Sequence, residues 1–230
     1  MEPLLADPAS TPPVAEIADA VRRAPAPLRG GPIALARFMR VNHMLSVAHA
    51  RLLVRLLLLK LRYRGRLKID GICFICPKVH LEIGPNGQLR IGRWAWIGHG
   101  SKIRAHEGTV SIGAKTVMGQ DCTISAYQHV SIGRECIIAD RVMLIDFDHG
   151  AVEVDRPIRE QGIYKRDVHV GHNVWIGYGA CVLRGVSVGD NSILGTSSVV
   201  TKDVPANAVV GGAPARVIRM RDVPRSMRWE

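Results

Sequence analysis

The stretch VGHNVWIGYGACVLRGVSVGDNSILGTSSVV, residues 170–200, carries Val170, Ile176, Val182, Val188, Leu194 and Val200 six residues apart, and Gly171, Gly177, Gly189 and Gly195 directly follow four of them. A helix repeats its apolar face about every 3.6 residues and a strand every two, so neither gives a period of six. A short strand and a turn for every hexad does, with three hexads closing one triangular coil. The aliphatic residue of each hexad then points inward and stacks on its equivalent in the next coil. One coil cannot bury that face alone, so the repeat makes a core only by stacking.

The same rule extends upstream through Ile132, Ile138 and Leu144, through Ile112, Met118 and Ile124 with Gly113 and Gly119, and through Ile91, Ile97 and Ile103 with Gly92 and Gly98. Extra residues interrupt the register between Ile103 and Ile112 and between Ile124 and Ile132. A longer, charge-rich interruption separates Leu144 from Val170 and contains IDFDHGAVEVDRPIREQGIYKRDVHV. The fold predicted is mainly β, a parallel β-helix of hexapeptide repeats over 71–210, with a loop excursion over 145–169 where chemistry would sit on a rigid scaffold.

Outside the repeat, residues 1–32 hold seven prolines among alanines and small polar residues, which predicts a flexible tail. Residues 33–70 predict a basic, amphipathic helical segment, and residues 211–230 a basic C-terminal tail. Charge is concentrated in the first part of the chain. Residues 21–69 contain twelve Lys or Arg and no Asp or Glu, within a formal net charge of +11 and a pI near 10.0.

An anionic partner follows from that asymmetry. Nucleic acid is disfavoured, because aromatic residues make up 5% of the chain and no zinc-finger or RNA-binding signature accompanies the basic run. The greasy run Leu56 to Leu59 is bounded by Arg55 and Lys60, so the segment is too short to span a bilayer. Two roles remain open for it: peripheral contact with an anionic membrane, or a cap on the β-helix core. Five cysteines, an odd set without a leader sequence, predict a reducing, cytoplasmic setting with buried thiols, peripheral at the inner membrane face if the helix binds lipid.

The hexads, the excursion, VWIG at 174–177 and GTSSVVTKDVPANAVVGGAPARVIR at 195–219 together resemble the left-handed β-helix, hexapeptide-repeat acyltransferases, over roughly residues 83–219. Within them, DHG followed by RPIREQGI resembles the sugar O-acyltransferase branch. The resemblance implies a homotrimer that takes acyl-CoA as co-substrate, with no bound cofactor and no metal. It implies transfer of an acetyl or longer acyl group to a hydroxyl of a sugar or glycoside, a glucosylglycerate-type primer among the acceptors.

By the same resemblance His149 is the general base, a role imidazole fills because it titrates near neutral pH. Asp146 and Asp148 flank it, and either one would orient the ring. Trp175, Gly177, Thr196, Thr201, Lys202, Arg216 and Arg219 match the acyl-CoA-binding positions, although a buried indole filling a prism corner is a competing account of Trp175. Asp121, Arg156, Arg159, Lys165 and Arg166 are acceptor-site candidates. Asp121 stands where galactoside-type enzymes often have Asn, and an ionised Asp accepts hydrogen bonds but donates none.

Two alternatives belong to other classes. A hexapeptide-repeat carbonic anhydrase would need an H-x-x-x-x-H ligand pair, whereas His149 has Val154 five positions on, and His169 and His172 are three apart. A non-enzymatic trimeric scaffold would need neither DFDHG nor GGAPARVI.

Overall fold

The computed structural model describes Arg40 and residues 47–221, so the tail expected over 1–32 and the last nine residues lie outside the described part. The chain divides into two compact units, residues 1–50 and 51–230. Little of the first is described. The second is a left-handed parallel β-helix with three sheet faces, each coil running through the first, second and third face in turn.

The register confirms the hexad reading row by row. On the first face Ile69, Ile91, Ile112, Ile132, Val170 and Val188 stack in succession. The second stacks Ile75, Ile97, Met118, Ile138, Ile176, Leu194 and Val210. The third stacks Leu81, Ile103, Ile124, Leu144, Val182 and Val200. Ile97, Ile103, Ile124, Leu144, Ile176 and Leu194 are fully inaccessible. Each such side chain contributes roughly 1.5–3 kcal/mol by leaving water.

Coils only about 4.8 Å apart leave no room for side chains at some turns. A Cβ at Gly113 would lie 2.4 Å from the Gly133 backbone, which accounts for glycine at that point of the hexad. Buried hydroxyls staple coil to coil instead: Thr116 donates to the Gly133 carbonyl at 2.7 Å and accepts from the Cys136 amide at 3.2 Å. Cys73, Cys76, Cys122 and Cys136 are buried and Cys181 is partly exposed.

From Arg51 onward, helix α1, Val47–Arg62, lies along the open edge strand His80–Ile83 of the third face. Arg55 donates to the Val79 carbonyl at 3.1 Å, the Tyr63 hydroxyl to Leu81 at 2.7 Å and Arg66 to Ile83 at 2.7 Å. These donors occupy alternate carbonyls that an uncovered strand edge would offer to another chain. Leu56 is buried, and Leu59 and Tyr63 pack on the core. The capping role is therefore realised.

Two boundaries differ from expectation. The first strand, Leu67–Ile69, already pairs with Gln88–Ile91, so the coils begin before residue 71. At the other end, Ala208–Gly212 and Ala215–Met220 form an antiparallel pair that closes the second face, where a tail was expected from residue 211.

Candidate active site

Between Ile145 and Val168 the chain leaves the corner joining the third face to the first. It forms a hairpin in which Phe147–His149 pairs antiparallel with Ile163–Lys165. The loop between these strands carries one 3-10 turn, Ile158–Glu160. Residues directly opposite in an antiparallel pair share a side of the sheet. One side of the hairpin therefore bears Phe147, His149, Ile163 and Lys165, and the other bears Asp148 and Tyr164.

The side bearing His149 meets an aromatic cluster built at the same corner by the two shorter register breaks. His106 stacks on Tyr127 with ring centroids 4.4 Å apart, and Tyr127 meets Phe147 edge to face at 4.7 Å. Phe147 in turn meets His149 edge to face at 6.3 Å, and His106 Nε2 lies 3.1 Å from the buried Ser125 hydroxyl. Lys165 donates to Glu107 at 2.7 Å, with its ammonium 5.3 Å from the Tyr127 ring. Hydrogen bonding from that ammonium holds the Glu107 carboxyl below its ordinary pKa. His149 itself is exposed, beside this cluster.

The two flanking carboxylates, expected as orienting groups, are bonded elsewhere. Asp146 is fully buried, and its two oxygens accept the Tyr127 amide at 2.8 Å and the Gln128 amide at 2.7 Å. Its carboxylate is spent anchoring the turn beneath the hairpin. Asp148 projects from the opposite side of the strand and pairs with Arg184 at 2.7 Å. Among the described residues, neither makes a hydrogen bond with the imidazole.

The acceptor candidates are also divided. Of the four basic loop residues, Lys165 alone shares the His149 side of the hairpin strands. Arg166 lies along Gly185, and Arg156 and Arg159 pair with the loop's own Glu153 and Glu160. Asp121 sits in a turn at the corner between the second and third faces, with φ 54° and its carboxylate beside Gly100. It is on the same coil as Tyr127 but at a different corner.

Trp175 is 52% exposed on the outer side of the second face, which rules out the indole as corner filling. It belongs to an outward apolar row, Trp96, Val117, Ile137, Trp175, Ile193 and Val209, that ends on Arg219. Gly177 lies in the next turn, where a Cβ would come within 2.6 Å of the Thr196 amide, so these two are brought together. Arg216 is exposed opposite Gly211 on the terminal strand. Thr201 and Lys202 are exposed where the last third-face strand ends, on the corner that also carries the hairpin two coils earlier.

In a three-sided coil the corner between the third and first faces is opposite the second face. Within one chain, the corner from which the His149 hairpin leaves and the Trp175 row therefore lie on opposite sides of the coil. Among the described residues no group of three His, Cys, Asp or Glu forms a metal-ligand set. His169 is hydrogen-bonded through Nδ1 to Ser131 at 2.6 Å, and His172 Nδ1 accepts the Arg134 amide at 3.0 Å.

Residues 167–202 match the family described as bacterial transferase hexapeptide (six repeats). The chain is 38% identical over 161 residues to a probable acetyltransferase of Mycobacterium tuberculosis, covering 70% of this chain and 52% of that protein. It is 35% identical over 130 residues to the galactoside O-acetyltransferase of Escherichia coli, covering 56% of this chain and 62% of that one. A solved structure of galactoside acetyltransferase in complex with coenzyme A aligns at TM-score 0.53 and 34% identity, over 57% of this chain and 64% of that chain. The chain thus spans about half the length of the first relative and under two thirds of the second.

Proposed function

We propose that this chain, a hexapeptide-repeat left-handed β-helix related to the bacterial O-acetyltransferases, transfers an acyl group from acyl-CoA to a hydroxyl of a small sugar or glycoside. The observation that carries the reading is the exposed His149 on the same side of the hairpin as Phe147 and Lys165, beside the stacked rings of His106 and Tyr127. Aromatic rings suit the apolar faces of a sugar ring, and Lys165 and Glu107 suit its hydroxyls.

In this reading His149 takes the proton of the acceptor hydroxyl as its oxygen attacks the thioester carbonyl. The carbon–sulfur bond then breaks, and the imidazolium returns the proton to the departing CoA thiolate. No covalent enzyme intermediate is needed. Burial raises the pKa of all five thiols, which opposes formation of a nucleophilic thiolate.

A homotrimer completes the site. A heterologous contact that closes into a ring sets one chain's second face beside the next chain's hairpin, bringing a Trp175 row to each His149. The exposed apolar side chains Val117, Ile137 and Trp175 support such a contact. CoA then lies along that row, with the indole near the pantetheine arm and Arg219, together with Arg216, near the phosphates. Arg156, Arg159 and Arg166 remain acceptor candidates through movement of the loop, and Thr201 and Lys202 remain CoA candidates at the hairpin corner.

The test is release of CoA from a series of acyl-CoA chain lengths against a panel of small glycosides that includes glucosylglycerate. Acceptor-dependent CoA release, with intact-protein mass unchanged during turnover, supports the reading. An acyl adduct on Cys181 or Cys122 that forms and decays at the turnover rate overturns direct transfer.

A further inference from the structure

We propose that the outward face of helix α1 seats this protein on an anionic lipid surface. The inference is independent of the acyl-transfer reading. It begins with what the cap leaves over. Leu52, Leu56, Leu59 and Tyr63 lie on the side of the helix turned to the coils, and all are buried or half-buried. Val54, Leu57, Leu58 and Leu61 lie on the other side and are 59%, 59%, 60% and 51% exposed. A capping helix needs only one apolar face, so this second leucine face has no role in covering the core.

The charges around that stripe decide what it meets. At about 100° per residue, the stripe is centred opposite Leu56. Arg51 and Arg62 border it on one side, while on the other the half-buried Leu53 stands between it and Lys60; all three cations are exposed, and Arg64 follows the helix. The helix contains no Asp or Glu, and neither does any position from 21 to 69. A protein-binding surface is normally depleted in Lys, Glu and Asp around its apolar centre, with a polar rim. An apolar stripe whose only charged neighbours are cations fits the level of lipid headgroups, with the aliphatic side chains in the acyl region and the basic heads reaching phosphates. The helix lies flat in this arrangement, since no helix among the described residues is long and apolar enough to cross a membrane.

The experiment is sedimentation of the full chain with vesicles of phosphatidylcholine alone and of equal parts phosphatidylcholine and phosphatidylglycerol. The wild-type chain is expected to sediment with the anionic vesicles and to be released by salt. Arg51→Gln, Lys60→Gln and Arg62→Gln combined should weaken that partition about a hundredfold, at about fivefold per charge. Leu57→Ser, Leu58→Ser and Leu61→Ser combined should abolish it, with thermal unfolding near wild type because these side chains are already in water. Absence of sedimentation at low salt, or equal sedimentation with neutral vesicles, overturns the proposal. So does a serine variant that changes the oligomeric mass while vesicle binding persists, which would mark the stripe as a protein interface.

Discussion

Trp175 and Arg219 occupy one outward row of the second face, separated by Ile193 and Val209. Three strand spacings of about 4.8 Å put them roughly 14 Å apart, a span that an extended pantetheine arm can bridge. If CoA lies along this row, Trp175→Ala and Arg219→Gln should each raise KM for acyl-CoA, and Arg219→Gln should do so less at high salt. Removing a charge-assisted hydrogen bond at one end costs about 1.5–3 kcal/mol, or roughly 10- to 150-fold. Isothermal titration with CoA reads the loss directly. Near-native affinity in both variants would place the nucleotide elsewhere, with the Thr201–Lys202 corner next in line.

His149→Ala should leave the melting temperature and CoA affinity near wild type while lowering kcat by about 10²- to 10⁴-fold, the usual share of a general base. An exposed imidazole on a hairpin outside the stacked core makes one edge contact, with Phe147, so alanine disturbs little packing. Equal loss of folding and turnover would make His149 structural.

Ile176→Asp should do the reverse. Ile176 is fully inaccessible between Ile138 and Leu194, and a carboxylate there has neither water nor a partner. Failure to recover folded protein is expected, read by circular dichroism and gel filtration.

The periodicity that reveals the coils also explains where sequence reading stopped. Inward positions such as Ile138 and Ile176 are constrained by stacking and so keep a rigid spacing. His106 and Tyr127 come from two separate register breaks, and only the stacking of coils places them under the hairpin with Phe147. The breaks were visible, but their common corner was not. The direction of Asp146 was hidden for a similar reason. It depends on the chain turning at Ile145, which aims the carboxylate at the Tyr127 and Gln128 amides. Likewise, the leucines of α1 give no sign of which face caps until Val79, Leu81 and Ile83 present their carbonyls.

The two carboxylates beside His149 should separate in a stability measurement. Asp146→Asn replaces one acceptor oxygen by a donor that faces a backbone N–H in a fully buried site, at a cost of about 2 kcal/mol or more. Asp148→Asn loses only a half-exposed pair with Arg184, worth about 1 kcal/mol or less. Urea midpoints should fall clearly for the first and little for the second. A large kcat loss in Asp148→Asn with unchanged stability would restore it as the group that orients the imidazole.

Buried thiols make stability depend on alkaline pH. Burial pushes Cys73 up to about 12 and Cys122 up to about 11, from an ordinary value near 9 that the unfolded chain retains. Above pH 9 the unfolded chain sheds these protons while the folded one holds them, so the equilibrium moves toward unfolding. The contribution is whole below pH 9. It declines as pH rises towards 11 for Cys122 and towards 12 for Cys73. Denaturation midpoints measured from pH 8 upward should therefore fall, and a Cys73→Ala, Cys122→Ala variant should show a shallower decline from a lower starting stability. The comparison isolates the thiols from lysine and tyrosine, which titrate over the same range in both proteins. Parallel declines in the two proteins would show that the thiols do not set the alkaline limit.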